Sequence, residues 1–228
     1  MRILFVRHGH PNYEKDCLTE LGHLHAAAAA ERLAAEGIEK IFSSTCGRAL
    51  ETAGYTARKL NLPIEEVDFM REIGWGTLEG EPLYHDGHPW DNADKMVLEN
   101  IPLMNMHQFE QEPFCRNKTK DYVAMIARET DAWLSRLGYD REGHYYRCRG
   151  EQYHTVAAFG HGGASAAMFS HLFNLPFLFV CNTMGLNYTG ITAVTLKNQP
   201  GQLVTPCFEI FNDARHIAGL QVKNIYNR

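Results

Sequence analysis

Arg2-Ile3-Leu4-Phe5-Val6-Arg7-His8-Gly9-His10-Pro11 is the stretch on which the fold turns. An apolar run rich in strand formers stops abruptly at a basic, imidazole-bearing turn closed by glycine and proline. A buried strand running into a polar loop reads this way. Thr19 is placed to cap a helix from Glu20 to Glu36, rich in Ala, Leu and Glu and stopped by Gly37. Lys40–Ser44 predicts a second strand, Arg48–Leu60 a second helix closed by Asn61 and Pro63, and Ile64–Val67 a third strand. Strands alternating with helices predict an α/β fold: a mostly parallel central sheet with right-handed crossovers and helices on both faces, an α/β/α sandwich of three layers.

From about Arg71 to Lys118 the periodicity breaks down, with glycines, prolines, Trp75 and Trp90 scattered through it. The expectation is a single domain over 1–228 with an insertion, or lid, at about 74–118, because so long an aperiodic stretch is usually functional. Trp75, Trp90 and Phe109 either line a substrate pocket or anchor the insertion to the core. Asp121–Leu137 predicts an amphipathic helix, with Val123, Ile126, Ala127, Thr130, Leu134 and Leu137 on one side. Tyr145–Arg149 and Thr155–Phe159 read as two strands joined by a polar turn. His161-Gly162-Gly163 then leads into a helix from Ala164 to Phe173. Gly190–Leu196 and Cys207–Phe211 are late strands.

Composition narrows the function. With 45% hydrophobic and 21% charged residues among 228, the chain can bury a substantial core. Its net charge of −5 disfavours a broad nucleic-acid face and leaves room for a small basic pocket. The run Leu175–Cys181 is far short of a membrane span, and the apolar start before Arg7 is too short for a signal-peptide core. Six dispersed cysteines without a Cys-x-x-Cys pair read as free thiols, so a cytoplasmic location is expected. His8 with His10, His23 with His25, and His85 with His88 invite a metal reading. No cysteine or carboxylate completes a ligand set, and His23 and His25 point to different sides of a helix. No metal or cofactor is expected.

Ligands of such sheets bind beyond the carboxyl ends of strands, where Arg7-His8-Gly9 and His161-Gly162-Gly163 both fall. Arginine offers a fixed fork of donors to phosphate oxygens, and Arg48 stands in the first turn of the helix after the second strand. Gly9 removes a side chain where a ligand would need close approach. Amides at the helix start after His161 suit an anion. These residues together describe a compact positive pocket in an acidic protein.

Here the chain resembles a known family. Arg7-His8-Gly9 after a first strand is similar to the signature of the histidine phosphatase superfamily, which includes the cofactor-dependent phosphoglycerate mutases. Leu18-Thr19-Glu20-Leu21-Gly22, the segment Ser43–Ala53 around Arg48, the segment Arg71–Gly80, Gly160-His161-Gly162-Gly163 and Asn212-Asp213-Ala214-Arg215-His216 resemble its later motifs, in order. The resemblance implies a phosphoglycerate mutase-like fold and makes His8 the nucleophile. It implies that Arg7, Arg48 and His161 hold the phosphoryl oxygens, which the Gly162 amide at the helix start would join, and that Glu72 is the proton donor; of the nearby acids Glu79, Glu81 and Asp86, any of which could take that role, Glu79 is the next candidate. Two positions depart from the family. Glu14 stands where an asparagine that helps bind phosphate is usual, with Asn12 a possible substitute, and His10 follows the first motif where an acid, an amide or threonine is usual. The implied function is hydrolysis of a small-molecule phosphomonoester through a phosphohistidine. The rivals are a phosphoglycerate mutase and a catalytically weak phosphate-binding scaffold.

Overall fold

The computed structural model describes residues 1–220 except Glu79, Glu81 and Pro113. Its elements run β1 (Arg2–Arg7), β2 (Pro11–Asn12), β3 (Cys17–Leu18), α1 (Glu20–Leu33), β4 (Lys40–Ser43), α2 (Gly47–Leu60) and β5 (Ile64–Glu66). There follow α3 (Pro89–Leu98), α4 (Thr119–Arg136), β6 (Tyr139–Glu142), β7 (Tyr145–Cys148), β8 (Thr155–Gly160), α5 (Gly162–Phe173), α6 (Phe177–Thr183), β9 (Ile191–Thr195), β10 (Leu203–Val204) and β11 (Cys207–Asp213). The chain divides into two compact units. The first holds Met1–Arg71, Asp131–His161 and the described residues from Leu186 onward, and the second holds Glu72–Thr130 and Gly162–Gly185.

The first unit is built on a mixed six-stranded sheet in the order β11-β9-β1-β8-β4-β5. β1, β8, β4 and β5 pair in parallel, while β9 and β11 add an antiparallel edge. The alternation of side chains along a strand sorts the two faces of the sheet. Leu4 and Val6 of β1, Ile41 of β4 and Ala157 and Phe159 of β8 pack with Leu33 of α1 and Ala53 and Ala57 of α2. The intervening Phe5 and Phe42 meet the edge or face of Trp133 near the end of α4, at ring-centre separations of 6.5 and 5.3 Å. Trp133 is among the largest fully buried side chains. It was not among the residues expected on the buried side of that helix.

Small residues fix how closely α1 approaches the sheet. Thr19 caps α1, its hydroxyl accepting from the Gly22 amide at 3.1 Å. A Cβ on Gly9 would lie 2.6 Å from the Gly22 carbonyl oxygen, and one on Gly22 would lie 2.1 Å from that of His10. Gly9 therefore serves a backbone-to-backbone approach of the first loop to α1, which corrects the expectation that it clears space for a ligand. The α1 helix ends at Leu33, one turn short of the expected Glu36, and α2 closes on Asn61 in the left-handed region at φ +53°. The expected pairing of Tyr145–Arg149 with Thr155–Phe159 is also corrected. β7 belongs to a separate antiparallel sheet, β10-β7-β6, while β8 lies in the central sheet. β7 pairs instead with β6, through a turn at Gly143, whose φ of +61° suits glycine.

In the second unit, the stretch expected to be irregular with short helical pieces contains α3, which starts on Pro89 at a position where its missing N–H costs nothing. Thr77 and Asn117 bridge across the ends of that stretch. The apolar run Leu175–Cys181 forms most of the short helix α6, which packs between α3 and α5. Asn182 donates to Asp94 at 2.7 Å, and the Leu178 amide donates to Gln108 at 2.9 Å. Phe109 stacks on Phe177 at 6.0 Å, so of its two expected roles the anchoring one has a visible partner. Among the described residues no helix is long and apolar enough to cross a membrane. All six cysteines are free.

Replacing Trp133 with alanine is expected to cost roughly 3–5 kcal/mol, the usual range for emptying a buried tryptophan site. Trp133→Phe should cost far less, because it keeps the ring contacts and removes an indole N–H that is buried without a hydrogen-bond partner among the described residues. Urea unfolding of both variants checks this, and equal losses would contradict it.

Candidate active site

The register of the central sheet assembles the site. In the parallel ladder of β1 and β8, Arg7 lies opposite Gly160, and the His8 amide donates to the Gly160 carbonyl at 3.0 Å. His8 and His161 thus emerge side by side, with ring centres 5.1 Å apart. Both are buried, at 1% and 0% exposure. β4 lies on the other side of β8 and leads through Ser44 into α2, which brings in Arg48. The structure therefore gathers Arg7, His8, Arg48 and His161 in one pocket of the first unit.

Hydrogen bonds set the tautomers. His8 Nδ1 lies 2.7 Å from the Gly9 carbonyl oxygen, which can only accept. Nδ1 must carry the hydrogen, and Nε2 presents a lone pair. His161 Nδ1 lies 3.0 Å from Arg48 Nη2, which can only donate, so the hydrogen of His161 sits on Nε2 and points to Ser44 Oγ at 2.9 Å. Burial, with Arg7, His161 and Arg48 nearby, holds the His8 imidazole well below the ordinary histidine range. Burial together with Arg48, Arg7 and Arg71 does the same for His161. Both rings are neutral at physiological pH.

The arginines are held, yet each keeps an unused donor. Arg7 Nη1 donates to the Leu186 carbonyl at 2.6 Å, and the Arg48 guanidinium pairs with Asp16. Nε of Arg7 and Nε of Arg48 are buried without a hydrogen-bond partner among the described residues. Buried, unsatisfied charged donors are rare and costly, and a bound oxyanion would satisfy them. Asp16 also accepts from the Gly47 amide at 2.8 Å, at the amino end of α2. A carboxylate on this helix start and on Arg48 uses the donor types that an anion would use. Asp16 and Ser44 were not expected in the site, nor were Tyr13, whose ring centre lies 5.4 Å from the Arg48 guanidinium carbon, and Tyr188, 4.5 Å from that of Arg7. Ser44 was within reach, inside a segment already tied to Arg48. Asp16 and Tyr188 join the pocket only through folding.

Glu72 and Gly162 lie in the second unit, where Gly162 opens α5. Glu72 Oε1 accepts from the Ala164 amide at 3.0 Å and from the Ile73 amide at 3.0 Å. A Cβ on Gly163 would lie 2.7 Å from that oxygen, so the double glycine after His161 leaves room for the carboxylate. Glu79, the alternative acid, lies outside the described residues. Glu14 is exposed. Asn12 accepts from the Lys15 amide at 3.1 Å and shapes its own turn. Among the described residues no group of His, Cys, Asp and Glu is arranged to hold a metal ion.

Residues 3–100 match the model of the histidine phosphatase superfamily, branch 1. A probable phosphatase of Schizosaccharomyces pombe is 36% identical over 105 residues, which covers 39% of this chain and 50% of that protein. The chain thus aligns with about half the length of this curated relative. Among solved structures, a mycobacterial glucosyl-3-phosphoglycerate phosphatase superposes with a TM-score of 0.63 at 22% identity, covering 92% of this chain and 98% of the other. A phosphoserine phosphatase from Entamoeba histolytica gives 0.63 at 20% identity, covering 95% and 98%. The fold is the one these phosphatases share.

Acid should destabilise the protein through its neutral histidines. His25 is fully buried, with neither ring nitrogen hydrogen-bonded among the described residues, and burial with His10 and His216 nearby lowers it to about 4. Its folded pKa lies below the unfolded value of about 6.5, so the unfolded chain takes the proton first. The contribution is complete above about pH 6.5 and is lost as pH falls towards 4, amounting to about 3 kcal/mol. Denaturation midpoints followed over that window should fall less steeply for His25→Phe than for the wild type. Parallel curves would refute the assignment.

Proposed function

We propose that the protein hydrolyses small phosphomonoesters through a phosphohistidine on His8. The observation that carries this reading is the tethering of His8 Nδ1 to the Gly9 carbonyl, which leaves the Nε2 lone pair among two arginines with unsatisfied donors. The Nε2 lone pair attacks phosphorus as the ester P–O bond breaks, and Glu72 protonates the leaving oxygen. Water then attacks the phosphohistidine, its proton passes to Glu72, and the P–N bond breaks to free His8. Arg7 and Arg48 stabilise charge on the equatorial oxygens, the main catalytic effect available in phosphoryl transfer. His161 turns its Nε2–H from Ser44 to a phosphoryl oxygen, and the Gly162 amide adds a donor. Segment 74–118 acts as the lid.

The substrate class rests on the pocket and on the kinship to phosphatases named for glucosyl-3-phosphoglycerate and phosphoserine. Six free thiols support a reducing compartment, the cytoplasm. Water is the favoured acceptor over a second substrate hydroxyl. The stretch Gly74–Asp94 contains no lysine or arginine to bind a mutase substrate's carboxylate. Incubation with 3-phosphoglycerate, with and without 2,3-bisphosphoglycerate, should release phosphate. Efficient isomerisation with little release would make the protein a mutase instead.

His8→Ala should lower hydrolysis of nitrophenyl phosphate by at least about 10³-fold and abolish acid-labile phosphoenzyme in quenched reactions. Substantial residual activity would exclude His8 as nucleophile. Glu72→Gln should slow alkyl phosphates by roughly 10²–10⁴-fold and nitrophenyl phosphate much less, since nitrophenolate leaves without a proton. Equal losses would point to another acid.

A further inference from the structure

Tyr188 sits in the loop between α6 and β9, and its ring is surrounded by groups of the first unit. The Arg7 guanidinium carbon lies 4.5 Å from the ring centre. The His8 ring is 5.9 Å away, the His10 ring stands edge-on at 5.3 Å, and the His25 ring is stacked at 6.3 Å. Among these, His10 is the residue that departs from the family motif, and its nearest aromatic partner is this tyrosine.

The same loop grips the Arg7–His8 segment by its backbone. Leu186 accepts from the Arg7 guanidinium, and the Thr189 amide donates to the Arg7 carbonyl at 3.0 Å and to the His8 carbonyl at 3.3 Å. Thr189 does this at φ +52°, a left-handed conformation unfavourable for a β-branched residue. Such strain persists only where surrounding contacts hold it, here the His216 ring on the Thr189 hydroxyl at 3.1 Å and the Asn187 amide on Asn212 at 2.8 Å. The loop is thus held in a costly shape that lays one aromatic face on Arg7.

We propose that Tyr188 is a positioning residue: its ring, by cation–π attraction, holds the Arg7 guanidinium so that the N–H groups not bound to Leu186 meet a phosphoryl oxygen. The guanidinium is held through Nη1 by the Leu186 carbonyl and lies with its central carbon 4.5 Å from the Tyr188 ring centre, and the N–H groups that Leu186 does not use are what remain for the ligand. The proposal rests on the phosphate pocket of the preceding section but not on its chemistry, so binding alone can test it.

The probe is orthovanadate, titrated calorimetrically into the full chain. Tyr188→Leu should weaken binding roughly tenfold or more, and Tyr188→Phe should restore it to within about threefold, since both aromatic rings offer a π face. Arg7→Lys should cost less in the Tyr188→Leu background than alone, because the two side chains act as a unit. Stepwise ring fluorination of Tyr188→Phe keeps the shape and drains the face of electron density. Affinity should fall with each fluorine, a trend that a purely steric role would not produce and that remains readable if the leucine variant unfolds. Vanadate binding indifferent to fluorination, or strictly additive losses at positions 7 and 188, would overturn the proposal alone. A wild type that binds no vanadate would overturn the phosphate-pocket reading and the proposal with it.

Discussion

The parallel pairing of β1 with β8 carries the site. Because side chains alternate along a strand, a slip of one residue in this ladder would turn Leu4 and Val6 out of their core and send His8 away from His161. The register is held by apolar packing on both faces, with α1 and α2 over Leu4, Val6 and Phe159 and with Trp133 over Phe5 and Phe42. The energy that fixes the distance between two polar rings is therefore mostly hydrophobic, and it arises from packing away from the rings themselves.

Burial then decides the charge states. Removing His8 and His161 from water beside two arginines leaves neutral imidazole as the stable form. A neutral ring tethered at Nδ1 is a nucleophile, whereas a protonated one is not. The positive charge of the pocket resides on guanidiniums that cannot lose it, and Asp16 offsets part of it while keeping Arg48 in place. A chain of net charge −5 can in this way concentrate positive charge locally without presenting a broad basic face.

Much of this was legible in the residues. The apolar run ending at Arg7 marked the strand and its loop, Thr19 and Asn61 marked helix ends, and two motifs at strand ends marked a shared pocket. Each is a local signal, in which a few neighbouring residues restrict the backbone or provide a donor set. Less legible were elements whose signal is tertiary. β6 was hidden by its charged residues, and β7, read as a strand, joins it in a small separate sheet because Tyr139 and Tyr146 find burial there. α6 was an apolar run too short to distinguish helix from strand.

The sequence by itself determined the α/β alternation, the order of the motifs and the chemistry available to them, since strand and helix periods and donor types are properties of residues and their spacing. The tertiary structure alone decided that Gly9 faces a helix backbone rather than a ligand, that Asp16 closes on Arg48, and that His10, His25 and Tyr188 gather behind Arg7. These contacts join segments distant along the chain. Their geometry follows from how closely whole elements pack, which no short window of residues encodes.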